Sequence, residues 1–256
     1  MKQLRTFSKW IVCITLMFLL ISCSSNTSND QEINDINYSI SFKNTSELYG
    51  LPWNADDFAF NIIRVKDMIN LDFQNMVNDN IEMAMTSWVG GRVEHADRVN
   101  LSITCHSSRY LSFINSYIYE SQRVDVINDF ITMDMQTGQR VFLNDLIEIN
   151  EEFARYLQVN QYKIKEPPEP MWQTPPDLFL FSTSELLEEL YKCSYTEEQW
   201  IEDGYCSLDD SIGSLIFKNS FFVREGQLVI TIEKGGEKYI TLDIADIDRF
   251  LKVEPW

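Results

Sequence analysis

Hydrophobic residues follow two different spacings along this chain, and each spacing predicts a different kind of element. Alternation of apolar and polar residues predicts strands, because successive side chains of a strand point to opposite faces of a sheet. The clearest example is residues 99–105, where every second residue is apolar. The segments predicted as strands are residues 38–42, 58–63, 99–105, 111–119, 130–134, 141–143, 221–223, 228–232 and 239–242.

Spacings of three and four residues between apolar positions predict helices. One such stripe runs from Phe73 to Trp88, and Gly90 and Gly91 end it. Shorter helical patterns cover residues 151–162, 184–192, 197–201 and 244–251. Strands and helices do not alternate strictly, so the predicted fold class is α+β, with a mostly antiparallel sheet and packed helices.

Two segments between the periodic stretches have turn or loop chemistry. Thr137 and Gly138 separate two strand-like runs and predict a hairpin, in which Gly138 supplies the positive φ that tight turns often need. Asp134 and Thr137 are expected to stabilise this turn with side-chain hydrogen bonds. Five prolines crowd residues 167–176 and exclude regular helix or central strand there.

The first 23 residues combine a basic head, an apolar middle and a cysteine. The apolar run of residues 10–21 would rise about 18 Å as a helix, short of the roughly 30 Å hydrocarbon core, and fits a secretory signal. The order resembles the bacterial lipoprotein signal, in which the cysteine receives a diacylglycerol and the peptide is cut just before it. The resemblance implies lipidation at Cys23. The alternatives are an ordinary signal with a chance cysteine, or a single membrane anchor.

This interpretation divides the chain into three parts. Residues 1–22 are the lipoprotein signal peptide, and residues 23–35 are the lipidated cysteine with a flexible stalk of small polar residues. Residues 36–256 form the α+β ectodomain, with an amino-terminal part at 36–92 and a carboxy-terminal part at 93–256. The acyl chains would hold the protein on the extracytoplasmic face of the cell membrane.

Charge narrows the classes of partner. The chain has 21 basic and 39 acidic residues, and loss of residues 1–22, which hold three of the basic ones, leaves a formal net charge of −21. This acidity argues against nucleic acid and anionic lipid headgroups as partners and favours a cationic one, although many surface proteins are acidic for solubility alone.

Five cysteines are present, and two of them are accounted for by the amino-terminal signal. Cys193 and Cys206 flank an acidic, helix-like insert and could form a disulfide outside the cell. Cys105 occupies an apolar position of an alternating strand, which predicts a buried thiol.

The sequence contains no recognisable catalytic or metal-binding pattern. His95 and His106 are the only histidines, and the chain has no Cys-x-x-Cys, His-Glu-x-x-His or Gly-x-Ser-x-Gly. Acidic residues are so numerous that glycosidase-like pairs arise by chance. We therefore predict no catalytic residue, no metal and no cofactor.

Aromatic residues offer a candidate ligand surface. Tyr117 and Tyr119 lie on an aromatic-rich strand, and Trp172 lies among the prolines. If these side chains point outward, they form a stacking platform for a sugar or a protein. The alternative is a core strand with packed tyrosines.

Residues 130–146 resemble part of a known extracytoplasmic domain. The segment has a strand ending in Asp134, a turn at Thr137 and Gly138, a strand ending in Leu143, and an acidic turn into a helix. It is similar to the RsiV-like domain, which occurs in a lysozyme-sensing anti-sigma factor and is appended to some peptidoglycan deacetylases. The carboxyl end, with residues 221–223, Gly226 and Tyr239, is similar to the same family.

The resemblance implies a non-enzymatic binding or sensing ectodomain on a cell-envelope lipoprotein. Its ligand would be peptidoglycan or a cationic protein such as lysozyme, with sequestration as the mode of action in the second case. The alternatives are a peptidoglycan-modifying enzyme, which requires a concave site with converging polar groups, and a structural envelope protein with no ligand.

Overall fold

The computed structural model describes residues 37–44, 60–86, 97–120, 124–166, 175–203, 219–232 and 238–253. All of them belong to one compact unit, Ile36–Trp256. The predicted signal peptide and stalk, including Cys23, lie outside the described residues, as do Trp172 and Cys206.

Eight strands form three antiparallel sheets within the described part of the chain. The first sheet pairs β1 (Ser39–Asn44) with β2 (Asn61–Lys66). The second, in chain order, contains β3 (Arg98–His106), β4 (Tyr110–Glu120) and β5 (Val124–Asp134). The third contains β6 (Ser220–Arg224), β7 (Gln227–Ile232) and β8 (Lys238–Asp243).

The described helices vary in length from four to 16 residues. They are α1 (Leu71–Thr86), α2 (Leu143–Leu146), α3 (Glu151–Val159), α4 (Thr183–Lys192), α5 (Glu197–Glu202) and α6 (Ile244–Ile247). Short 3-10 turns follow or precede them at Gln161–Lys163, Leu178–Leu180 and Asp248–Phe250. Antiparallel sheets packed with helices confirm the predicted α+β fold class.

Two helices begin at residues with strong capping chemistry. The Asn150 side chain accepts a hydrogen bond from the Phe153 amide at the start of α3. At the start of α4, Ser182 and Glu185 form a reciprocal capping box, which pairs two amide donors that the helix itself cannot pair. These local hydrogen bonds explain why the helices start where the sequence pattern predicts.

A first core lies between α1, the first sheet and one face of the second sheet. From α1, Val77, Ile81 and Met85 are buried in it, and α1 contacts both β2 and β5. From the second sheet, Phe113 and Ile131 face the same core. The apolar stripe of α1 is therefore the surface through which the helix packs in the first core.

A second core lies between the third sheet and the carboxy-terminal helices. It contains Phe153 of α3, Leu186 and Leu190 of α4, and Ile230 and Ile240 of the third sheet. Within this group, the Phe153 and Phe250 rings meet edge to face, with centroids 5.0 Å apart.

The second and third sheets pack against each other. Strand β6 contacts all three strands of the second sheet, and the Phe222 ring stacks on Phe130 with centroids 5.2 Å apart. The Ser112 hydroxyl accepts a hydrogen bond from the Val223 amide and is 2.9 Å from the Thr132 hydroxyl. Strand β4 is consequently covered on both faces along most of its length.

The structure differs from the predicted hairpin after Gly138. Only one bridge, between Met133 and Arg140, joins the returning segment to β5, and residues 141–143 are not a strand. Instead the Asp145 carboxylate accepts a hydrogen bond from the Phe142 amide, which starts α2 at Leu143. The acidic residue thus turns the chain before a second strand can form.

None of the helices in the described ranges is long and apolar enough to cross a membrane.

Candidate functional site

The turn that follows β5 is held by the side chain of its first residue. Asp134 Oδ1 accepts hydrogen bonds from the amides of Gln136 at 2.7 Å and Thr137 at 3.2 Å. The Gly138 amide donates to the Asp134 carbonyl at 2.7 Å, and Gly138 has a φ of +72°. The predicted turn chemistry and the positive φ are both confirmed.

This turn packs against helix α1. The Asn80 side-chain amide donates to the Gly138 carbonyl at 2.8 Å, and the Gly138 Cα lies close to the Met76 and Val77 side chains. A Cβ at position 138 would crowd both side chains, so the turn lies in close contact with α1.

A pocket of about 220 Å³ opens beside the turn. It is called the turn pocket below. Its polar walls come from the turn itself, from the connection between β3 and β4, and from the start of α2. The polar and charged residues that line it are Arg109, Tyr110, Asp134, Thr137, Gln139, Arg140 and Asp145, and the apolar ones are Val141, Leu146 and Val253.

The turn pocket has two acidic side chains, and each of them accepts hydrogen bonds from backbone amides. Asp134 uses Oδ1 for the turn, and Asp145 uses Oδ2 to accept the Phe142 amide at 2.8 Å. Within the described part of the chain, Asp134 Oδ2 and Asp145 Oδ1 have no hydrogen-bond partner. Each carboxylate is thus oriented by the backbone and keeps one oxygen available.

Two arginines line the same pocket. The Arg109 guanidinium carbon lies 5.3 Å from the centre of the Tyr110 ring, and that of Arg140 lies 5.6 Å from the centre of the Phe142 ring. Arg109 Nε is shielded from solvent and has no hydrogen-bond acceptor among the described residues. A buried donor without an acceptor is unfavourable, so Arg109 is a group that a ligand could satisfy.

The pKa of the Tyr110 hydroxyl is affected by the charges around the pocket. Burial raises the pKa of its hydroxyl above the ordinary value. The charge of Arg109 and a hydrogen bond from it oppose this shift, whereas the charges of Asp134 and Asp145 add to it. The hydroxyl therefore stays protonated at neutral pH, and groups of both signs act on one side chain.

The predicted stacking platform is wrong for Tyr117. Its side chain is fully buried in the first core, because strand β4 lies in the middle of the second sheet and this face packs with residues of α1 and the first sheet. Tyr119 is half-buried and packs against the same core. Trp172 lies outside the described residues. The alternative of a core strand with packed tyrosines describes Tyr117 correctly.

The cysteines and His106 occupy structural positions. Cys105 is a buried free thiol, as predicted, and His106 lies beside the Tyr38 ring, with centroids 4.8 Å apart. Cys193 is also a buried free thiol, and burial raises its pKa well above the ordinary value. Because Cys206 lies outside the described residues, the Cys193–Cys206 disulfide stays a prediction.

The described residues contain no group of three or more His, Cys, Asp or Glu side chains placed to hold a metal ion. His95 lies outside them.

The sequence arguments missed the two arginines of the turn pocket. Arg140 lies two residues after Gly138 of the recognisable turn, so the sequence alone could have identified it as a candidate pocket residue. Arg109 lies in another connection of the chain, and only the pairing of Tyr110 with Asp134 across β4 and β5 brings it to the turn.

Comparison with solved structures finds distant likenesses. The chain is similar to the crystal structure of a member of the DUF3298 family from Bacteroides fragilis, with a TM-score of 0.41 and 11% sequence identity. The similarity covers 77% of this chain and 85% of that chain. No family model matches the chain, and no match was found among curated proteins.

Proposed function

We propose that this chain is a cell-envelope lipoprotein whose RsiV-like ectodomain binds or senses a ligand without catalysing a reaction on it. The observation that carries this proposal is the turn pocket. The segment with the RsiV-like pattern, residues 130–146, supplies most of its walls. Its two carboxylates are oriented by backbone amides and its arginines lie on aromatic rings, an arrangement suited to holding a polar group by charge and hydrogen bonds.

Two ligands fit the proposal for different reasons. Peptidoglycan carries charged peptide groups, and the charged residues that line the turn pocket are suited to such groups. A cationic protein such as lysozyme is favoured by the net charge of −21, which speeds encounter with a positively charged partner.

A retention assay tests the binding function. We expect the full-length chain in detergent to be retained by immobilised lysozyme or to sediment with insoluble peptidoglycan. Retention by lysozyme should weaken between low and physiological salt, because the attraction is mainly between exposed charges.

An acidic protein of the same size, immobilised in the same way, is the control for lysozyme. Retention by neither material at either salt concentration would contradict both peptidoglycan and lysozyme as ligands. Release of soluble fragments from peptidoglycan would favour the peptidoglycan-modifying enzyme instead.

Lipidation is a separate prediction. In cells fed a palmitate analogue, the wild-type chain should carry the label and the Cys23→Ala variant should not. The reason is that Cys23 is the cysteine at the position that the lipoprotein signal requires. The matched control is Cys13→Ala, which changes a cysteine within the apolar run and should keep the label. An unlabelled wild-type chain found in the cytosol would overturn the lipoprotein assignment.

A further inference from the structure

We propose that the turn pocket binds a small zwitterionic amino-acid group, with a carboxylate and an ammonium on the same carbon. This inference deepens the proposed binding function and rests on it, because it names the chemical group that the pocket takes. It depends on the charged side chains of the pocket, on its volume and on its apolar wall.

The basic side of the pocket suits a carboxylate. Arginine binds a carboxylate through two parallel hydrogen bonds, and one common geometry uses Nε together with a terminal nitrogen. Arg109 Nε lacks an acceptor among the described residues, and a carboxylate would supply it. Because Nε is shielded from solvent in the structure, the guanidinium must turn towards the pocket as the ligand enters.

The acidic side of the pocket suits an ammonium. Asp134 and Asp145 each keep one carboxylate oxygen without a partner in the described part of the chain. Both act electrostatically on Tyr110, as Arg109 does, so opposite charges border the same small space. An anion alone would be repelled by the two aspartates, and a cation alone by the two arginines.

The volume and the apolar wall limit the rest of the ligand. A pocket of about 220 Å³ is smaller than the roughly 300–1,000 Å³ of typical sites for larger ligands. Val141, Leu146 and Val253 form its apolar part and would contact a short aliphatic side chain. Alanine has the required size, charges and side chain.

Calorimetric titration of the full-length chain in detergent tests the inference with three probes. These are alanine, N-acetylalanine, which lacks the ammonium, and alaninamide, which lacks the carboxylate. We expect alanine to bind at least tenfold more tightly than either derivative, because each derivative leaves charged groups of the pocket unpaired.

Two variants test which side chain recognises each charged group of alanine. Arg109→Gln removes the guanidinium and should bring alanine down to the affinity of alaninamide. Asp145→Asn keeps an oxygen that can accept the Phe142 amide but removes the charge, and should bring alanine down towards N-acetylalanine. The control is Arg155→Gln on the exposed face of α3, which should leave all three affinities unchanged.

Equal binding of alanine and its two derivatives to the wild-type chain, or no binding of any probe, would overturn the inference.

A fourth probe, meso-diaminopimelic acid, distinguishes the two possible sources of the bound group. It is a cell-wall component with two such groups. If diaminopimelic acid binds at least as well as alanine, the group comes from peptidoglycan, and if only alanine binds, it comes from free amino acids.

Failure of this inference differs from failure of the proposed function. Retention on peptidoglycan without alanine binding overturns the inference alone. Alanine binding without retention on peptidoglycan or lysozyme overturns those two ligands and leaves the pocket as a site for free amino acids.

Discussion

The Gly138→Ala variant should lose about 2–6 kcal/mol of unfolding free energy, measured by urea denaturation of the full-length chain in detergent. An alanine at a φ of +72° costs about 1–3 kcal/mol in backbone strain. Its Cβ would also lie 2.7 Å from Met76 Cε and 3.0 Å from Val77 Cγ2. Met76 can move its flexible end, but Val77 is fully buried, so overpacking adds about 1–3 kcal/mol.

Gly226 provides a matched control for this result. It has a φ of +69° in the turn between β6 and β7, but a Cβ there would meet nothing within 4 Å. Gly226→Ala should therefore show only the backbone cost of about 1–3 kcal/mol. The difference between the two variants measures how tightly the turn is seated on α1, and equal losses would show that this contact contributes nothing.

The Lys192→Met variant should lose about 3–5 kcal/mol of unfolding free energy in the same assay. Lys192 and Glu189 lie on α4 with side-chain exposures of only 10% and 9%, and Nζ is 2.8 Å from Glu189 Oε1. The Asn219 side-chain amide also donates to Glu189 Oε2 at 2.8 Å. Removal of the ammonium leaves a buried carboxylate with too few partners, which is the costly way to break such a pair.

A second substitution separates the lost attraction from the unpaired charge. Glu189→Gln combined with Lys192→Met leaves no charge at the pair and should recover most of the stability. Arg155→Gln, which breaks an exposed pair with Glu151, should change stability by no more than about 0.5 kcal/mol. If the double variant is as unstable as Lys192→Met alone, the unpaired carboxylate is not the cause of the loss.

The elements of the fold were predictable because their causes are local. The stripe on α1 was visible in the sequence, and the residues that the helix buries all belong to it: Val77, Ile81, Ala84 and Met85. The alternation at residues 99–105 falls within β3. The positive φ of Gly138 and the hydrogen bonds of Asp134 also follow from residue type and order in one short segment.

The prediction for Tyr117 was wrong for a non-local reason. Alternation along one strand indicates two faces, but it does not tell which faces are covered. The third sheet covers one face of β4 through β6, and the first core, which contains residues of α1 and the first sheet, covers the other. The burial of Tyr117 was therefore decided by packing between distant segments.

By itself, the sequence determined most of the helices and strands, the chemistry of the turn after β5, and the acidity of the chain, because each depends on residue types at short spacing. Only the tertiary structure decided that Arg109 and Asp134 share a pocket. The antiparallel register that pairs Tyr110 with Asp134 brings Arg109 to the turn, and α2 then adds Asp145. Such a grouping depends on strand register and on contacts between remote elements, which the spacing of residues in one segment does not contain.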